Sequence, residues 1–102
     1  MTDDLHPTDG ARFLLERRGD PPVDARAEYG AAIYTPTERF AYTATLAASG
    51  EVSLAADGAA APGDLEKKLH TIARIAARDA VRNAADGLPP WPHRILRWRG
   101  PK

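Results

Sequence analysis

Two groups of basic residues are the chain's best candidates for chemistry. Arg74, Arg78 and Arg82 recur every four residues, and Lys67 falls within about 80° of them on a helical projection. Arg94, Arg97 and Arg99 lie in the closing stretch WPHRILRWRGPK, which carries two tryptophans and no carboxylate. Like charges spaced four apart on a helix repel by roughly 0.2–0.5 kcal/mol per pair. A face that keeps them without an interposed glutamate suits an anionic partner: a phosphate backbone, an acidic protein, or the acidic part of a second copy. Arginines interleaved with aromatics also suit single-stranded nucleic acid, where rings stack on bases. Here, however, Arg97 and Arg99 alternate with Leu96 and Trp98 at the period of a strand. That alternation is expected to put the Trp98 indole on the core face and the guanidinium groups outward.

Other chemistries find little support. There is no cysteine, so thiolate and disulfide chemistry are excluded. His6, His70 and His93 are far apart, without a second ligand three or four residues away, and zinc sites need such clusters. The glycines near Gly58 and Gly63 lack the Lys-Ser/Thr ending of a phosphate-binding loop. Thr35, Thr37, Thr43, Thr45, Ser49 and Ser53 are explained as turn or strand residues, and no base is paired with them by spacing. No residue is assigned as catalytic, cofactor-binding or metal-ligating, and the reading leans away from an enzyme.

Charge is balanced overall, with 14 cations and 14 anions, yet it is polarised along the chain. Residues 1–66 hold twelve acids against five arginines, whereas residues 67–102 hold nine cations against Asp79 and Asp86. Such asymmetry steers partners, or lets the two parts attract each other. Zero net charge weighs against a dedicated nucleic-acid binder. Arginine outnumbers lysine eleven to three, so arginine content alone carries little functional weight. No apolar run approaches the roughly 20 residues a membrane span needs. The start, MTDDLHPTDG, has neither the cationic nor the apolar region of a signal peptide. The expectation is a soluble cytoplasmic protein that does not enter membranes.

The elements that must position these residues read clearly. Residues 1–10 are expected to be disordered, and 11–99 to form a single α+β domain, the size of one ordinary domain. Alternation marks strands at 11–18, 27–35, 39–47 and 51–55, ended by Gly19-Asp20-Pro21-Pro22, by Thr35-Pro36-Thr37-Glu38 and by a two-residue loop at Ser49-Gly50. A helix is predicted over 63–85, with Pro62 at its first position, Asp64 and Glu66 at its positive end, and Gly87 and Pro89-Pro90 beyond its close. Leu65, Leu69, Ile72, Ala73, Ala76 and Ala80 share one arc, with Ile75 at its edge. A last strand follows at 93–99, and Trp91 is expected to cap the open end of the core.

The order β-β-β-β-α-β gives a two-layer α+β fold, an antiparallel meander of three to five strands with one long helix on its apolar face. The helix, about 33 Å long, exceeds the roughly 23 Å of a seven-residue strand, so it must cross diagonally, overhang or meet a second copy. The functional expectation is a small interaction module, homodimeric in one version, that binds a protein through a sheet edge or its basic helix face. The alternatives are a nucleic-acid binder using Lys67, Arg74, Arg78, Arg82, Arg94, Arg97 and Arg99, and a small-ligand binder or enzyme with a helix–sheet pocket near Tyr29, Tyr42 and Trp91.

Overall fold

The computed structural model describes residues 6–18 and 26–100. Its elements are β1 (Ala11–Arg17), β2 (Arg26–Tyr34), β3 (Arg39–Ala47), β4 (Val52–Ala56), α1 (Gly63–Ala85) and β5 (Arg94–Arg99). The strands form one open sheet in the order β4-β3-β2-β1-β5, antiparallel at every pairing, with α1 on one face. This is the two-layer α+β arrangement the sequence implies. The Gly19-Asp20-Pro21-Pro22 stop and residues 1–5 lie outside the described residues.

Side chains directly opposite across antiparallel strands share a face, so register sorts the molecule into rows. On the helix side, Phe40, Ile33 and Phe13 stand in one row, and Tyr42, Ala31, Leu15 and Ile95 in the next. Phe13, Leu15, Ile33 and Leu46 are fully buried, and burying such side chains stabilises the fold by roughly 1.5–3 kcal/mol each. Small residues beside large ones, Ala31 next to Tyr42 and Ala44 next to Tyr29, let the layers interdigitate.

Helix α1 buries Leu69, Ile72, Ala73, Ala77 and Ala80. Ala77 therefore joins the core, whereas Ala76 and Leu65 are only partly covered. The helix comes nearest to β3 and β4, off the centre of the sheet. Pro62 stands one position earlier than expected, as the N-cap, its carbonyl accepting from the Leu65 and Glu66 amides at 3.0 Å. The helix closes in a Schellman turn: Gly87 has φ +75°, Leu88 N–H donates to the Asn83 carbonyl at 2.8 Å, and Gly87 N–H donates to Ala84 at 3.1 Å. The β3–β4 connection covers residues 48–51, longer than the two-residue loop expected. Ala47 N–H donates to Glu51 at 2.9 Å, and Gly50 at φ +99° completes the turn.

Two buried phenols tie the ends of the helix to the sheet. Tyr42 Oη donates to Glu66 Oε2 at 2.8 Å and accepts the Ala61 amide at 2.8 Å, fixing the approach to α1. Tyr29 Oη donates to the Pro92 carbonyl at 2.7 Å, and Arg17 Nη1 donates to the Trp91 carbonyl, fixing the exit. Trp91 is buried beneath them. The segment before β1 packs as well: Pro7 is buried, and the His6 ring meets Tyr34 edge-on at 5.3 Å.

Candidate functional site

Strand β5 runs along β1 at one edge of the sheet, and its alternation is in the opposite phase to the expected one. Leu15 stands opposite Ile95, Phe13 opposite Arg97 and Ala11 opposite Arg99. Ile95, Arg97 and Arg99 therefore share the helix side, while Arg94, Leu96 and Trp98 share the outer face with Glu16, Leu14 and Arg12. Trp98 is not a core residue: it is 49% exposed, its indole Nε1 donating to the Asp9 carbonyl at 3.1 Å, and Leu96 is 38% exposed. Ile95 is the buried member of the strand. A one-residue shift sends every side chain of a strand to the other face. Here the phase is set before the strand begins, by the Arg17 and Tyr29 bonds that hold residues 91 and 92, and by Arg17 N–H donating to the His93 carbonyl at 2.8 Å. The signal in the sequence is Ile95, the one β-branched residue of the strand, set between arginine and leucine.

That last bond also fixes which backbone groups face outward. In an antiparallel ladder, hydrogen-bonded pairs alternate with non-bonded pairs. With Arg17 and His93 a bonded pair, Ile95, Arg97 and Arg99 turn their amides and carbonyls toward β1. Arg94, Leu96 and Trp98 then present theirs to the open edge. No strand pairs with that edge among the described residues. Instead, Arg97 Nη1 donates to the Leu96 carbonyl at 2.8 Å and Arg99 Nη1 to the Trp98 carbonyl at 3.0 Å. Two edge carbonyls are thus capped by the arginine that follows each in sequence.

Above this edge, the off-centre helix leaves a cleft of about 230 Å³ between Ile72, Ile75 and Asp79 of α1 and Ile95, Arg97 and Arg99 of β5. Ile75 is 49% exposed. The cleft combines an apolar floor with a cationic rim. Its facing acid, Asp79, is held by Arg82 at 2.8 Å.

The seven candidate cations do not form one surface. Lys67, Arg74, Arg78 and Arg82 are exposed along α1, Arg97 and Arg99 line the cleft, and Arg94 lies on the opposite face of the sheet. Tyr29, Tyr42 and Trp91 are themselves buried, and the cleft between helix and β5 is lined by other residues. Burial pushes the Tyr29 phenol up to about 12, with the Arg17 charge opposing. Burial also raises Tyr42, with the Ala61 amide opposing and the Glu66 carboxylate adding to the rise. Both phenols therefore stay protonated as hydrogen-bond donors at neutral pH. Among the described residues no three His, Asp or Glu side chains gather as a metal set, and no helix is long and apolar enough to cross a membrane. Comparison with protein families, curated proteins and solved structures finds no match.

Proposed function

We propose that the chain is a protein-interaction module that accepts an extended segment of a partner protein as a further strand along β5. The observation that carries this reading is the outward set of amides and carbonyls on Arg94, Leu96 and Trp98, with side chains ready to grip on both faces. Ile75 and Ile95 line one face of the seam, and Leu96 and Trp98 line the other. Strand addition draws affinity from main-chain hydrogen bonds and specificity from pockets for alternate side chains. The nucleic-acid reading is weaker because its seven cations point three ways. A second copy is a weaker occupant of β5 than a foreign segment, because residues 94–99 of both copies would line one seam with arginines and no carboxylate.

Leu96→Pro provides the test. The Leu96 amide faces the open edge, so proline removes a donor that the ladder with β1 does not use. Peptides selected from a random library on the native chain should shift the Arg94, Leu96 and Trp98 amide resonances, and should lose at least tenfold in affinity for the variant, about 1.4 kcal/mol. Unchanged binding to the variant, or shifts confined to the back of α1, would overturn the reading.

A further inference from the structure

The arginines that cap the β5 edge occupy the seats an incoming strand needs. The Leu96 and Trp98 carbonyls are natural acceptors for the partner's amides, yet each already accepts from a guanidinium. Charged side chains on an exposed edge discourage indiscriminate pairing. A strand that docks here must first displace Arg97 and Arg99, and the cost depends on what the released guanidiniums find. If the newcomer is uncharged, they find only water. If it carries carboxylates, they find acceptors that match their planar fork.

The positions follow from the register. Arg97 and Arg99 are two residues apart and share the helix side, so their cross-strand neighbours on a sixth strand are also two apart and share that side. The residue between those neighbours lies on the outer face, opposite Trp98. The position facing Ile95 looks into the apolar part of the cleft, beside Ile72 and Ile75. Nearby acids compete little for the arginines: Asp79 is bonded to Arg82, and Glu16 lies on the other face opposite Arg94.

We infer that Arg97 and Arg99 select the partner, admitting an extended segment that reads acid–apolar–acid opposite Arg99, Trp98 and Arg97, with an apolar residue opposite Ile95. The arginines exchange their own edge carbonyls for the partner's carboxylates as its backbone replaces them. This inference rests on the strand-acceptor reading above.

The experiment uses three synthetic peptides of about eight residues, an ordinary strand length. They share valine and tyrosine at the apolar positions and carry glutamate, glutamine or lysine at the two selective ones. Each is titrated into the isotope-labelled full chain, following the β5 amides and the guanidinium signals of Arg97 and Arg99. The glutamate peptide should bind about tenfold more tightly than the glutamine peptide, and the lysine peptide more weakly still. Added salt should narrow the difference, and Arg97→Gln with Arg99→Gln should remove it. Equal binding of the glutamate and glutamine peptides at β5 would overturn the selection while leaving strand addition intact. If all three peptides leave the β5 amides unmoved, both ideas fall. The peptide comparison on the native chain decides the matter even if the double variant does not fold.

Discussion

The hydroxyl groups of Tyr29 and Tyr42 do more than their rings alone imply. Strand alternation places both rings on the buried face of the sheet, but their hydrogen-bond partners lie far along the chain. The Tyr29 acceptor, the Pro92 carbonyl, is 63 residues away, and no local pattern announces such a pair. These bonds carry a pH signature. Folding raises the Tyr29 phenol from 10.0 to about 12, so the folded state favours the protonated form. Its contribution is complete below about 10, the unfolded value, and is lost as pH rises through about 12. Tyr29→Phe should cost about 1 kcal/mol at neutral pH, since it leaves the Pro92 carbonyl without its donor. The variant should also lose less stability than the native chain between neutral and strongly alkaline conditions. Urea midpoints of both proteins across that range would check the sign.

At the level of elements, the strands and the helix were legible because period-2 and period-3.6 patterns do not resemble each other, and because proline and glycine mark their ends. Arg39–Ala47 alternates without a break and appears as β3 with the same bounds. The β5 phase was not legible. Its segment carries apolar residues on both parities, and the larger pair, Leu96 and Trp98, points the wrong way. Residues 91 to 93, pinned by Arg17 and Tyr29, decide the matter, and that is a tertiary fact. The same reasoning limits the basic groups: spacing collects Arg97 and Arg99 correctly, but their fold-back onto edge carbonyls depends on which strand lies beside them. The helix seat yields a prediction. Ala77 is fully buried where α1 packs on the sheet, so Ala77→Leu should destabilise the domain by about 1–3 kcal/mol through overpacking. Ile75→Leu, on the exposed rim of the cleft, should change the denaturant midpoint little.

For the whole molecule, the order of elements and the two layers follow from the sequence, whereas the strand neighbours at the edges do not. The helix lies nearest β3 and β4, and a cleft stays open between it and β5. If the β5 edge repels its own kind, the protein should remain monomeric by light scattering in low-salt buffer. Substituting glutamate at Arg97 should promote self-association by giving the seam both signs of charge.

The placement of β5 also governs how the domain comes into being. Strand β1 leaves the ribosome first among the strands, yet its second neighbour is synthesised last, after the whole helix. Until then Phe13 and Leu15 flank a vacant lane, and Tyr29 has no carbonyl to hold. Strands β2 to β4 can zip through four-residue connections, but the final join of β5 to β1 closes a loop spanning nearly the entire domain, a slow kind of step. One side of β1 therefore stays unpaired until β5 joins it.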